Sequence, residues 1–157
     1  MSLPKFRKLL PLLLLPVVAG CADERASLYI DSRDHALTLI RVQRYFWDKT
    51  AEFTIVPTRM PDCMRRHSLG SAPKDLPVEI YAPGNGAWIV KFGDKLFVTE
   101  TRNCEGFARL DAAPGGGMGP LVGTFRTRNG ELAAVPAPRS EGPAAPAAPA
   151  TTVPAAQ

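Results

Sequence analysis

The sequence is poor in the residues that most often carry chemistry, with two histidines and three cysteines among 157 residues. His35 and His67 lie in separate segments, outside any HExxH-type pair. Asp31 and Asp34 could ligate a metal together with His35, but adjacent acids before a strand are commonly turn residues. There is also no GxSxG turn, CxxC pair or phosphate-binding glycine loop. We therefore predict no enzyme activity, catalytic residue, metal site or cofactor.

A long hydrophobic run is also missing. The longest apolar stretch, Leu9 to Val18, has about 10 residues, half of what a membrane-spanning helix needs. Pro11 and Pro16 interrupt this stretch. The positive residues before it are Lys5, Arg7 and Lys8. A positive segment, a short apolar run and small residues before a cut are typical of a secretory signal peptide.

The end of that run, Val18-Ala19-Gly20-Cys21, resembles the lipobox of bacterial lipoproteins. The resemblance implies that residues 1–20 are cleaved and that Cys21 receives a diacylglyceryl thioether and an acyl chain such as palmitate. Two or three chains anchor a protein stably in a membrane, because each buried methylene contributes about 0.8 kcal/mol. Ala22 rather than aspartate follows the cysteine, which by the enteric sorting rule implies the outer membrane, with the domain facing the periplasm. The alternative is an ordinary signal peptide with Cys21 near the cut.

The positive net charge belongs mostly to this signal. The sequence has 19 Lys plus Arg against 15 Asp plus Glu. Without Lys5, Arg7 and Lys8, 16 positive residues remain against the same 15 negative ones, a net charge near +1. Nucleic-acid-binding domains usually carry a strongly basic surface. The mature chain is therefore predicted to have no nucleic-acid partner.

Once Cys21 carries lipid, Cys63 and Cys104 remain as one pair. Disulfides form and persist in the oxidising compartments that a secreted chain reaches. A bridge closing about 41 residues restricts the unfolded chain by about 4 kcal/mol. Two free thiols for metal or redox chemistry are the alternative, but they lack the usual CxxC spacing. We predict the disulfide.

Short apolar runs separated by turn residues predict an all-β domain, a small antiparallel β-sandwich or barrel-like fold with one disulfide. We place this domain at residues 27–134, after a lipidated N-terminus and short tether at residues 21–26. Residues 135–157 are rich in alanine and proline and are predicted to be a disordered tail. The clearest runs form a predicted three-stranded meander: Val78–Ala82, Ala87–Phe92 and Leu96–Arg102. Further short strands are predicted at residues 107–110, 121–127 and 131–135.

The stretch from His35 to Trp47 is harder to assign. It contains many β-branched and aromatic residues, which favour a strand. Such a strand would need a bulge near Ile40 to keep its apolar residues on one face. Helical spacing of its apolar residues keeps a helix as the alternative. A second strand is predicted at residues 52–56, ended by Pro57, with an irregular connection over residues 68–74.

A predicted loop after that strand carries four residues that form a candidate contact patch: Arg59, Arg65, Arg66 and His67. Such a patch suits anionic headgroups or an acidic partner. The alternative is a solvated loop held in place by Cys63.

These observations predict a lipid-anchored envelope protein that acts as a non-enzymatic binding or assembly module. Its partners would be the membrane, through Cys21, and an envelope protein of unknown identity. The alternative function is inhibition of a periplasmic or host hydrolase. Tyr81–Thr101 loosely resembles the hairpin region of lipid-anchored lysozyme inhibitors, but Ala82–Gly86 stands where their serine-rich motif lies.

Overall fold

The computed structural model of this protein describes residues 22–45 and 47–138. Over these residues, two antiparallel sheets share one core, so the predicted all-β fold is confirmed. The first sheet contains β1 (Ala22–Ser32), β2 (His35–Gln43), β3 (Thr50–Arg59), β4 (Cys63–Met64) and β5 (His67–Pro73). The second contains β6 (Val78–Gly84), β7 (Ala87–Phe92), β8 (Lys95–Glu100), β9 (Phe107–Leu110), β10 (Leu121–Arg128) and β11 (Glu131–Pro136). We find no membrane-crossing helix in the two described ranges.

β1 begins earlier than the sequence predicted. Ala22 already pairs with Gln43 of β2, and the pairing continues to the turn that joins the two strands. Residues 22–26 therefore belong to a strand, and their prediction as a tether was wrong. Side chains alternate along a strand, so Asp23 and Arg25 point to solvent while Ala26 is buried in the core. The alternation of exposed and buried side chains, rather than the polarity of the individual residues, identifies this segment as a strand.

β2 is a strand, as favoured, but it ends at Gln43 and is regular. Its register shows no shift at Ile40 against either neighbour, so the predicted bulge is wrong. Leu37 and Leu39 point into the core, and Ile40 is also buried although it lies on the other face. A strand that is buried on both faces can carry apolar side chains on both, so no bulge is needed to bring them to one face.

β3 runs through Pro57, which was predicted to end it. Pro57 pairs with Leu37 of β2 on one side, and its carbonyl accepts a hydrogen bond from the Arg65 amide on the other (3.3 Å). In a strand, the N and the carbonyl of one residue point to the same side. The missing N–H of Pro57 thus faces the break between β4 and β5, where no ladder hydrogen bond is lost.

β5 replaces the irregular connection that was predicted over residues 68–74. It pairs with β3, and the register shifts next to Phe53, which lies opposite Gly70. Gly70 has a φ of +98°, a conformation that glycine adopts without a steric penalty. The glycine therefore forms a bulge within a strand and does not end it.

The core lies between the two sheets. In the middle of the sandwich, the rings of Phe53 and Phe92 meet edge to face with centroids 5.2 Å apart. The predicted meander is confirmed, and its inward face carries the buried side chains Trp88, Val90 and Phe92. The largest fully buried side chains come from both sheets: Phe53, Phe92, Phe125, Leu28, Leu37, Leu39, Ile55, Ile80 and Ile89.

The sandwich has two ends, which we call the Ala22 end and the Cys63 end. Ala22 and the β2–β3 loop lie at the first. The Cys63 end contains the β1–β2 turn, residues 59–66, the β6–β7 turn and residues 101–106. β11 reaches Pro136, one residue beyond the predicted strand and two beyond the predicted domain boundary at residue 134. The Ala137 amide donates to the Val122 carbonyl (2.8 Å). The chain leaves the described domain toward the Cys63 end, and the rest of the predicted tail, residues 139–157, lies outside the described residues.

A buried arginine joins the sheets at the Ala22 end. Arg41 of β2 is 5% exposed, and one of its terminal nitrogens pairs with the Glu24 carboxylate of β1. The other donates to the Lys74 carbonyl and the Thr127 hydroxyl, both at 2.7 Å. Glu24 also accepts a hydrogen bond from the Leu132 amide of β11 (3.1 Å). This network, the Arg41 cluster, connects strands that are far apart in the sequence.

Candidate functional site

The predicted disulfide is present at the Cys63 end. Cys63 lies in β4 of the first sheet, and Cys104 lies in the loop that follows β8 of the second sheet. Their Cα atoms are 5.8 Å apart, within the ordinary range for a bridge. The bond therefore fixes the end of one sheet against the end of the other.

His67 supports the same junction. Its Nε2 lies 2.9 Å from the Cys104 carbonyl, which can only accept, so this nitrogen carries the proton. The imidazole stacks on Phe107 with centroids 4.6 Å apart, and Phe107 stacks on Phe97 at 5.3 Å. One member of the predicted contact patch is thus engaged in holding the sheets together.

The loop over residues 101–106 is organised around the Glu100 carboxylate. Its oxygens accept hydrogen bonds from the amides of Arg102 (2.5 Å), Asn103 (3.1 Å) and Gly106 (3.1 Å). Partial burial raises the pKa of Glu100, but its backbone hydrogen bonds together outweigh that effect and hold the pKa below its ordinary value. A side chain on Gly106 would meet Glu100, because an added Cβ would lie 2.8 Å from its Cγ.

Replacing Glu100 with glutamine is expected to lower the free energy of unfolding by about 1–2 kcal/mol at pH 7, because charge-assisted hydrogen bonds to the loop amides are lost. The pKa of Glu100 is depressed in the folded state, so its contribution is present above the ordinary glutamate pKa and lost as the pH falls through the folded value. Urea unfolding of both proteins at pH 7 and at about pH 3 should show the difference shrinking in acid.

A matched control is Glu105→Gln in the same loop. Glu105 pairs with Arg65 at 3.2 Å, but both side chains are largely exposed. Exposed ion pairs contribute about 0–1 kcal/mol, so this variant should unfold nearly as the wild type does. Equal losses for the two variants would contradict the role assigned to Glu100.

A polar relay, buried at His35 and Thr101 and exposed at Asp31, lies behind the disulfide. Asp31 Oδ1 is 2.9 Å from His35 Nδ1, and His35 Nε2 is 2.8 Å from the Thr101 hydroxyl. Trp88 Nε1 donates to the same hydroxyl at 3.2 Å. An ionised Asp31 can only accept, so His35 Nδ1 carries the proton of this hydrogen bond. In the neutral imidazole, Nε2 then accepts from the Thr101 hydroxyl, whose oxygen in turn accepts from Trp88. This hydrogen bond from His35 lowers the pKa of Asp31.

The order carboxylate, imidazole, hydroxyl resembles that of a hydrolytic relay, but the hydroxyl cannot meet a substrate. Thr101 is 1% exposed and its oxygen is already bonded to Trp88. A nucleophile has to reach its electrophile. The arrangement therefore binds the first sheet to the second and performs no chemistry at this hydroxyl. The sequence analysis did not predict the hydrogen bonds that join Asp31, His35 and Thr101. No group of three or more metal-ligating side chains occurs among the described residues.

The three arginines of the predicted contact patch influence different acids. Arg65 pairs with Glu105. A hydrogen bond from Arg25 depresses the pKa of Asp23, and the charge of Arg66 adds to this effect. His35 is the main cause of the low pKa of Asp31, with a smaller contribution from Arg59. Their charges are thus spread around the Cys63 end and across the first sheet, and the patch stays a prediction.

Two methionines contribute exposed apolar surface at this end. Met60 is 51% exposed and Met64 is 64% exposed. The Met60 amide donates to the Asp34 carbonyl at 2.8 Å, which fixes the segment against the β1–β2 turn. Flexible, polarisable methionines are common on protein-binding surfaces. The Cys63 end therefore combines a backbone held by a disulfide and hydrogen bonds between the sheets with flexible, exposed side chains. This arrangement is suited to binding.

The predicted lipid-attachment residue, Cys21, lies outside the described residues. Comparison of the chain with protein-family profiles, with characterised proteins and with solved structures finds no match.

Proposed function

We propose that this protein is a bacterial lipoprotein of the cell envelope, a non-enzymatic binding or assembly module held through Cys21 and facing the periplasm. On this proposal the Ala22 end lies at the membrane and the Cys63 end meets an envelope partner. The anchor rests on the signal-like run and on Val18-Ala19-Gly20-Cys21. Attachment to the outer membrane rests on Ala22, the residue after the cysteine, and belongs to the proposal.

The observation that carries the proposal is the position of β1. Its first residue, Ala22, directly follows the predicted attachment residue, and its 11 residues run toward the Cys63 end. A strand rises about 3.4 Å per residue, so β1 spans roughly 35 Å. A domain attached at Ala22 would therefore present the surface around Met64 some distance from the membrane.

The character of that surface supports a module rather than an enzyme. The disulfide, His67 and the His35 relay each connect the two sheets at this end. Preorganised backbone lowers the entropy lost on binding. Exposed Met60 and Met64 offer apolar contact area that a partner can cover.

A labelling experiment in intact cells tests the anchor and the surface together. An alkyne fatty acid should label the wild-type protein and leave Cys21→Ala unlabelled. A photoreactive amino acid at position 64 should form one discrete crosslink in lipidated protein. The same group at position 94, an exposed turn residue at the Ala22 end, should not form that crosslink.

Three results would contradict the proposal. The anchor fails if Cys21→Ala takes up the fatty acid as the wild type does. The surface fails if positions 64 and 94 give the same products, or if the crosslink is unchanged without the lipid. Reproducible turnover of a wall or lipid substrate by the purified protein would remove the non-enzymatic assignment.

A further inference from the structure

We propose that the β2–β3 loop, residues 44–49, is a second membrane contact that places the rings of Tyr45 and Trp47 at the headgroup level beside the lipidated cysteine. This inference rests on the proposed anchoring through Cys21 and adds an orientation to it. We call the described residues of this loop, 44–45 and 47–49, the aromatic tip.

The register of the first hairpin places the aromatic tip beside the anchor. Ala22 pairs with Gln43 across the two strands, and such partners lie about 5 Å apart. Because the strands are antiparallel, the chain enters β1 from Cys21 at the same edge at which it leaves β2 toward Arg44. Neighbouring Cα atoms are about 3.8 Å apart. The lipidated residue and the start of the tip would therefore lie within about 13 Å of each other.

The tip presents two large rings to the outside. Tyr45 is 54% exposed and Trp47 is 62% exposed. Their rings stack in parallel with centroids 5.1 Å apart and an interplanar angle of 7°. Amphipathic aromatic rings concentrate at the boundary between headgroups and hydrocarbon, where the ring body is apolar and the polar atom remains wet.

Hydrogen bonds preform the loop that carries these rings. The Asp48 amide donates to the Tyr45 carbonyl at 3.0 Å, and Gln43 Nε2 donates to the Asp48 carbonyl at 2.7 Å. The Lys74 amide donates to the Lys49 carbonyl at 2.9 Å, which connects the tip to the segment after β5. The rings are thus held on a defined turn, so reaching a surface costs little further ordering.

The charges around the rings fit a lipid surface. Arg44 pairs with Glu52 at 2.6 Å, and exposed Lys49 follows Asp48. The tip therefore has mixed charge, and its attraction to a bilayer comes mainly from the rings. A lipid surface is the favoured occupant because the predicted acyl chains leave the protein at this position. A protein partner or a second copy would have to share the space with them.

Depth-dependent quenching of Trp47 tests the aromatic tip. The purified lipidated protein is reconstituted in phosphatidylethanolamine and phosphatidylglycerol vesicles that carry a nitroxide near the headgroup. The Trp47 signal is the difference between wild type and Trp47→Phe, since the other tryptophan, Trp88, is buried. We expect at least about twofold quenching of this difference, because rings at the headgroup level contact the label.

The matched control moves the reporter to the other end of the sandwich. In the variant Trp47→Phe/Met64→Trp, the new ring replaces an exposed methionine at the Cys63 end. The same vesicles should leave its emission unquenched. Intact mass of each sample reports whether Cys21 carries lipid, which tests the anchor separately from the tip.

The outcomes distinguish the two proposals. A lipidated protein with unquenched Trp47 overturns the aromatic tip and leaves the anchor standing. Equal quenching at positions 47 and 64 also overturns it, because the domain then lies flat. A Trp47 environment that changes with protein density instead of with the label identifies a second copy as the occupant. An unmodified Cys21 overturns the anchor and, with it, the tip.

Discussion

Replacing Arg41 with methionine is expected to lower the free energy of unfolding by about 3 kcal/mol, at the low end of the range for breaking a buried ion pair. Methionine keeps much of the side-chain volume but supplies no donors. Within the described residues, Glu24 then keeps the Leu132 amide as its partner, and the Lys74 carbonyl and Thr127 hydroxyl lose the Arg41 donor. The side chain of Glu24 is 30% exposed, so water stabilises part of its unpaired charge. Urea unfolding followed by tryptophan fluorescence measures the loss.

Two further variants separate the contribution of charge from that of packing. The double variant Glu24→Gln/Arg41→Met removes both charges and should be more stable than Arg41→Met alone by at least about 1 kcal/mol. Arg44→Met removes a mostly exposed pair with Glu52 and should change stability by about 0–1 kcal/mol. If Arg41→Met and Arg44→Met behaved alike, the Arg41 cluster would have no structural importance.

The second large effect concerns the disulfide. The double variant Cys63→Ala/Cys104→Ala is expected to lose about 4 kcal/mol of unfolding free energy, because the closed loop of about 41 residues becomes free in the unfolded chain. Since Cys104 is fully buried, alanine is a better replacement than serine, which would bury a hydroxyl. Unfolding of the wild type with and without a reductant should give a loss of similar size.

The reductant itself provides the control for the disulfide. The double variant should show no further loss when reductant is added, since it has no bridge to break. Reductant sensitivity in the variant would point to a thiol effect elsewhere. A loss well below about 2 kcal/mol would mean that the bridge contributes less than loop entropy alone predicts.

The features that could be predicted from sequence depend on neighbouring residues. The meander was located because turn residues at Pro83–Gly86 and Gly93–Lys95 separate apolar runs of strand length. The bridge followed from counting cysteines. The tether, by contrast, was assigned to residues 22–26 because they precede the first apolar run, although a strand with one solvated face is polar at every second position.

The features that were missed depend on partners far away in the chain. Pro57 and Gly70 were taken as breakers, but Pro57 faces a gap between two other strands and Gly70 forms a bulge. His35 and Thr101 are 66 positions apart, and Arg41 and Thr127 are 86 apart. The local sequence around one residue of each pair does not predict its contact with the other.

Under the proposed anchoring, β1 begins at the residue directly after the lipidated cysteine, and this position has a mechanical consequence. A partner that pulls on the Cys63 end while lipid holds Ala22 would load β1 along its length. The hydrogen bonds between β1 and β2 lie across that direction. They would therefore resist together in shear instead of opening one after another from the end. A module attached in this way would transmit tension between a membrane and its partner with little extension.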